Sequence, residues 1–253
     1  MRLIDAHAHL ADDAFKDDVD LVLMRAFEAN VAAIISCAQS ANELERLKSI
    51  TSRYPNKIFI TIGCDPTKLD EQYVEEMYSL MVRNSSSIVG IGEVGLDFYY
   101  VRDHASRDKQ VKYFSMWISL AKQLKLPLVI HSRSAGKYAL DVLYKESADL
   151  VLMHAFDGSA NYAVNAVKRG YYFTIPTSVC FSQQKQKLAK RLPLEYMLVE
   201  TDSPVLSPIK NARNEPANLH YAVEKIAEIK GISCEKVAEV TFENARKLFK
   251  LPI

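Results

Sequence analysis

The 253-residue chain lacks any apolar run long enough to cross a membrane, which excludes a helical membrane protein. Its N-terminus lacks the apolar centre of a secretory signal, so a cytoplasmic location is expected. The four cysteines, Cys37, Cys64, Cys180 and Cys234, are far apart and form no CxxC. That spacing argues against a redox dithiol and fits free thiols in a reducing compartment. Neither sign of charge dominates: 32 Lys and Arg stand against 31 Asp and Glu, a net charge of +1. No global field marks a nucleic-acid coat protein or a membrane-surface protein, so an anionic substrate would have to be held by local groups. No Gly/Ser-rich or Pro-rich linker and no low-complexity tract divides the chain. It reads as one domain over residues 1–253.

What is present is an alternation. Runs nearly continuous in apolar residues fall at 2–7, 31–38, 57–64, 88–95, 127–132, 150–155, 171–177 and 196–202. Continuous apolarity suits strands covered on both faces, as in a parallel sheet. Between them the period becomes helical. Val19, Val22, Leu23, Ala26 and Phe27 share one face. Ser40 and Glu43 form a capping box that opens the next helix. Residues 106–125 predict a long helix carrying Phe114, Trp117, Leu120 and Leu124, and Ala238, Phe242, Ala245, Leu248 and Phe249 form a last amphipathic face. Eight strands with helices between them, in this length, predict an α/β fold of the (β/α)8 TIM-barrel type. A doubly wound open sheet is the alternative. The first strand is not followed by the GxGxxG turn of its dinucleotide-binding version.

Histidine is scarce, six in all, yet His7 and His9 sit one residue apart in "LIDAHAH". On a strand, residues two apart point to one face, so both imidazoles can aim at one point. Converging neutral imidazoles suit a divalent transition metal. Glu93 lies near the end of the fourth run, His131 ends the fifth, His154 the sixth and Asp202 the eighth. All six thus fall at C-terminal strand ends, the face where barrel active sites form. Each alone has a plainer meaning, as a helix cap or a hydrogen-bonded histidine. Six together, with a central carboxylate, suit two divalent ions bridged by Glu93. His7, His9 and Asp202 would complete one shell, and His131 and His154 the other. Asp202 could also accept the proton of the attacking water. His104 and His220 read as ordinary surface residues.

Six blocks, "IDAHAHL", "GIGEVGLDFYY", "KLPLVIHSR", "HAFDGS", "ETDSP" and "RNEP", taken in order, resemble the signature blocks of the TatD-type metal-dependent deoxyribonucleases. That family belongs to the amidohydrolase-like hydrolases. The resemblance implies a TIM-barrel hydrolase with two divalent ions (Mg, Mn or Zn) that cuts DNA phosphodiester bonds, often as a 3′→5′ exonuclease. It carries metal ligation to His7, His9, Glu93, His131, His154 and Asp202. DNA, single-stranded or at strand ends, is the implied partner, with no membrane. Three positions depart from the family pattern. Asp65 stands where His is usual, Ser134 where Asp follows Arg, and Asp157 where Ser or Thr is usual. A carboxylate at 157 with a hydroxyl at 134 reverses the usual order on two neighbouring loops. Either one carboxylate is needed in that seam, to orient Arg133 or a ligating histidine, or the two positions have drifted independently.

Arg133, two after His131, would face the site and could grip a phosphate or pair with a carboxylate. Phe98, Tyr99 and Tyr100 follow the fourth strand. One of them, Tyr99, could stack on a base, while at least two of the three are expected to pack the loop onto the barrel. Asp65 and Asp157 flank the site as further substrate-facing candidates. The basic stretches 184–191 and 209–213 read as solvated faces or as a backbone track. Two other functions stay open. Some TatD-like chains remove D-amino acids from tRNA, and related barrels cleave carbonyl esters or amides, many through a carboxylated lysine bridge. Glu93 at the bridge shifts the weight to phosphodiesters. A non-catalytic nucleic-acid-binding barrel is disfavoured by the intact ligand set.

Overall fold

A computed structural model describes residues 1–253. Its eight strands are β1 (Leu3–Ala8), β2 (Val31–Ala38), β3 (Ile58–Ile62), β4 (Gly90–Gly95), β5 (Leu128–His131), β6 (Val151–Met153), β7 (Tyr172–Pro176) and β8 (Met197–Glu200). They lie side by side in chain order, each pair parallel. The helices between them are α1 (Val19–Glu28), α2 (Ala41–Arg53), α3 (Glu71–Arg83), α4 (His104–Leu124), α5 (Gly136–Lys145), α6 (Ala160–Ala166) and α7 (Gln183–Arg191). α8 (Leu219–Lys230) and α9 (Cys234–Leu248) follow the last strand. This is the (β/α)8 barrel, not the open sheet.

The seam between β8 and β1 is closed by a few specific bonds. Asp202 N donates to His7 O at 2.9 Å and His9 N to Ser203 O at 2.8 Å. The buried Asp5 carboxylate accepts from Thr201 N at 2.9 Å and from Thr201 Oγ1 at 2.5 Å. α9 closes the opposite end. Phe242, Ala245, Leu248 and Phe249 pack beneath Ile4, Ala6, Ala33, Ile35, Val129, Leu152 and Leu198, which fill the barrel interior. Those four are among the five side chains expected on this apolar face; the fifth, Ala238, packs with the outer layer instead. The long helix α4 buries Phe114, Trp117 and Leu120 against the outer face of the sheet. Ser40 caps α2 by accepting from Glu43 N, while Glu43 reaches back to Gln39 N, one residue before the cap.

Two strands change phase just where the site begins. On β1, Ile4 and Ala6 face the barrel interior, whereas Ala8 packs with the outer layer although its parity matches theirs. The β1–β2 register shifts between Asp5 and Ala8. An extra residue in a strand reverses which face its side chains take, and here it turns His7 and His9 inward. β4 repeats the device. Ile91 and Val94 both pack in the outer layer, and the β4–β5 register shifts between them, bringing Glu93 inside. Glycine is required around this point. A Cβ on Gly92 would lie 2.5 Å from Val129 Cβ, and one on Gly63 would lie 2.3 Å from Glu93 O.

The "RNEP" block is architecture. Arg213 pairs with Asp18 at 2.6 Å and Glu215 with Arg25 at 2.6 Å, tying the segment after β8 to α1 and its approach. The buried Asn214 donates to Thr177 Oγ1, Thr201 O and Val205 O, and accepts from Glu215 N and Asn218 Nδ2. No helix is long and apolar enough to cross a membrane.

Candidate metal centre

Six side chains meet at the C-terminal end of the barrel. His7 and His9 bring their Nε2 atoms within 3.2 Å of each other. Glu93 Oε1 lies 3.6 Å from His9 Nε2, and Oε2 lies 3.1 Å from His131 Nδ1 and 3.3 Å from His154 Nε2. Asp202 Oδ1 lies 3.5 Å from His9 Nε2 and 3.7 Å from His7 Nε2. Donor atoms converge in three sets: His7, His9 and Glu93; Glu93, His131 and His154; and His7, His154 and Asp202. Glu93 belongs to two of them. His131 is the last residue of β5, but His9 and His154 lie one residue past their strands and Asp202 two past its own. Asp202 has φ 56°, a left-handed conformation that Asp tolerates better than most residues.

Behind the histidines stand acceptors that the sequence reading did not single out. Asp97 Oδ2 accepts from His131 Nε2 at 2.9 Å, and Glu200 Oε2 accepts from His154 Nδ1 at 3.0 Å. Glu200 Oε1 also holds Ala155 N. Such carboxylate–histidine pairs fix the ring orientation and the ring nitrogen left free to ligate. Gln39 Nε2 donates to Glu93 Oε1 at 3.3 Å, and the Cys37 thiol bridges Gly92 O and Glu93 N. The signal for Glu200 was its place two residues before Asp202, in "ETD". For Asp97 it was "GLDFYY", one turn of chain beyond Glu93.

Electrostatics divides the imidazoles. Burial holds His7 well below the usual histidine value, helped by the neighbouring His154 and His9. At His154 burial is outweighed by Glu200 and Asp202, and the ring sits well above that value. At His131 burial is outweighed by Asp97 and Glu93, pushing it up to about 9. His9 is raised as well, burial being outweighed by Asp202 and Glu93. Glu93 is held well below the carboxylate range because His131 and His154 outweigh its burial.

The donor set fits divalent ions. Glu93, Asp97, Glu200 and Asp202 are buried, yet their only salt-bridge partners are histidines, with no lysine or arginine among them. Buried carboxylates without a permanent cation are costly unless a cation is supplied. His7, fully buried and neutral, is in the ligating form, and its Nδ1 has no partner.

The site opens into a cavity of about 500 Å³ lined also by Arg133, Asp157 and Lys185. Arg133 forms no salt bridge. Its guanidinium lies 4.1 Å over the Tyr99 ring and 5.0 Å over Tyr100. Tyr99 and Tyr100 are exposed and only Phe98 is packed against the core, so the expectation that at least two of the three pack down is corrected. The Arg–Tyr stack explains this, since it holds the tyrosines outward. Asp157 Oδ2 accepts from Ser134 N at 2.7 Å, so the two residues with reversed chemistry touch. Asp65 is not among the residues lining this cavity. Its Oδ1 accepts from Thr67 N and Oγ1, and it closes its own turn. His104 starts α4 in solvent, and the half-buried His220 bonds Ala217 O, both away from the centre.

A (β/α)8 barrel with this donor set at its C-terminal face defines a metal-dependent hydrolase. Residues 4–250 match the family described as TatD related DNase, and the chain belongs to that family. It is 40% identical over 258 residues to the human protein named deoxyribonuclease TATDN3, covering 98% of this chain and 94% of that one. It is 36% identical over 252 residues to a metal-dependent hydrolase of Methanocaldococcus jannaschii, covering 99% and 98%. Among solved structures, the TatD homologue YJJV of Escherichia coli superposes with a TM-score of 0.85 at 24% identity over 99% of both chains. A TatD family hydrolase of Entamoeba histolytica gives 0.86 at 23% identity over 98% of both. At these identities the two structures speak for the fold.

Proposed function

We propose that this chain, acting over residues 1–253 as one catalytic domain, is a deoxyribonuclease that uses two divalent ions and trims DNA strands from the 3′ end. The observation that supports this most is the shared Glu93 carboxylate, standing between the His7/His9 and His131/His154 nitrogens. His7, His9, Glu93 and Asp202 would hold one ion, and Glu93, His131 and His154 the other. When bound, divalent ions supply Lewis acidity to a phosphoryl oxygen and lower the pKa of water at the site.

The remaining work falls to the chain itself. Asp202 accepts the proton of the attacking water, its Oδ1 lying at the edge of the His7/His9 group. Asp97 and Glu200 keep the His131 and His154 rings from rotating. Arg133, exposed at the cavity mouth, meets a neighbouring phosphate, and the Tyr99 face receives a base. A cavity of about 500 Å³ suits a strand end better than a continuous duplex. The human relative is named a deoxyribonuclease, which supports DNA over the aminoacyl-tRNA ester alternative.

The test strips the protein with chelator, restores Mg, Mn or Zn in turn, and offers 3′- and 5′-labelled single-stranded DNA, duplex DNA, RNA and D-aminoacyl-tRNA. Stepwise loss of nucleotides from the 3′ end, only with metal restored, is expected. Full activity of metal-free protein, or cleavage confined to the aminoacyl-tRNA, would overturn the proposal.

A further inference from the structure

Helix α7 is rich in exposed basic residues, but one of them turns inward. Lys187 and Lys190 are exposed, whereas Lys185 is 9% exposed and lines the cavity shared with Glu93, His154 and Asp202. Its Nζ donates to Ala155 O at 2.7 Å and to Phe156 O at 2.8 Å. An ammonium has three donors, so one is left over. No carboxylate forms a salt bridge with it; Asp157, Glu200 and Asp202 act on it only through space.

Two penalties attach to a cation in this place. A buried charge without a contacting counter-ion is unfavourable. A positive side chain in the first turn of a helix also opposes the helix dipole, and Lys185 is the third residue after the Ser182 cap. Fastening the 155–158 turn does not explain the charge. The preceding residue, Gln184, grips the same turn with a neutral amide, its Nε2 donating to Phe156 O at 3.1 Å and to Gly158 O at 2.7 Å. A neutral donor at 185 would complete that clasp without either penalty.

We propose that Lys185 is an anion-binding residue of the active site: its remaining N–H and its positive charge take a non-bridging oxygen of the phosphate being cleaved. This rests on the phosphodiester reading above. Lys185 differs from Arg133 in depth. Arg133 is exposed at the mouth on its tyrosine stack, while Lys185 is fixed in the wall by two carbonyls, already oriented before substrate arrives.

Three variants separate charge from clasp. Lys185→Met removes the charge and keeps the apolar stem. Lys185→Gln removes the charge and keeps a donor for the turn, so it serves if the methionine variant folds poorly. Gln184→Ala loosens the turn and keeps the charge. Metal-free protein is titrated with inorganic phosphate by calorimetry and with a labelled single-stranded oligonucleotide by anisotropy at several salt concentrations. Both Lys185 variants should lower phosphate affinity about tenfold and reduce the salt slope of DNA binding by about one. Gln184→Ala should leave both unchanged. The proposal falls if the Lys185 variants keep the parent slope and phosphate affinity, or if Gln184→Ala matches them. If the parent protein neither binds nor cuts DNA while phosphate binding still depends on Lys185, the phosphodiester reading falls and the anion site stands.

Discussion

Replacing Asp157 with serine should loosen the loop that carries Arg133. Asp157 Oδ2 holds Ser134 N at 2.7 Å, one residue from Arg133, while Asp157 O separately holds Gly136 N at 3.2 Å. A hydrogen bond to a charged group contributes about 1.5–3 kcal/mol when shielded from water. Both residues here are exposed, so about 1 kcal/mol is the appropriate magnitude. If that energy positions Arg133 for catalysis, Asp157→Ser lowers kcat/KM about fivefold. Ser134→Asp alone should also be harmful. Two carboxylates roughly 5 Å apart, at an effective dielectric of about 60, repel by about 1 kcal/mol. Together the changes restore one carboxylate to the seam from the other loop, and position 134 favours it, because its φ of 54° suits Asp better than Ser. The double variant should therefore approach the parent enzyme, giving a coupling of about 1.5–2 kcal/mol. The assay is kcat/KM on end-labelled single-stranded DNA for all four proteins, with melting temperatures as a check on folding. Effects that add to within about 0.5 kcal/mol would show that the seam needs no carboxylate.

Glu200→Gln keeps the shape of a fully buried side chain but cannot accept from both His154 Nδ1 and Ala155 N. Metal affinity, read by competition with a fluorescent chelator, should fall about 10–100-fold; unchanged affinity would mean that His154 needs no such support. Glu93→Ala, which removes the carboxylate shared by both histidine groups, should cost far more activity than Arg133→Ala, and near-normal turnover by Glu93→Ala with metal bound would exclude the bridge. Asn214→Ala strands Thr201 O, Val205 O and Glu215 N and should destabilise by about 3 kcal/mol. That corresponds to about 6–12 °C in Tm by thermal melting; a shift near zero would show that water replaces the amide. Burial pushes the Cys64 thiol up to about 12, and burial likewise holds the Cys37 thiol well above the usual cysteine value. Alkylation of the native protein at pH 8, read by peptide mass, should therefore reach Cys180 and Cys234 and spare those two, and early labelling of Cys64 would contradict the packing described.

The barrel and the six converging side chains were legible because both follow from one-dimensional patterns. Continuous apolar runs mark strands covered on both faces, and a chemically active residue at the end of such a run must emerge at one rim of the barrel. The phase of those side chains was not legible. Simple alternation from Ile4 and Ala6 would place His7 on the outer face; the register shift after Asp5 brings it in, and a shift is a property of two strands, not of one sequence. The partners of the histidines were hidden for a related reason. A carboxylate near a strand end reads equally well as a helix cap, and only proximity tells Glu200 from Asp103, which does cap α4. Lys185 was masked by its neighbours, because a run such as "QKQKLAKR" reads as solvated and inward rotation of one member shows only in burial. Asp65 and Asp157 mark the opposite limit. In sequence each is a carboxylate flanking the site at a departure from the family pattern. In space Asp65 turns its oxygen onto its own loop while Asp157 crosses to the next one, and it is that crossing, not the residue type, that gives position 157 a route to the chemistry.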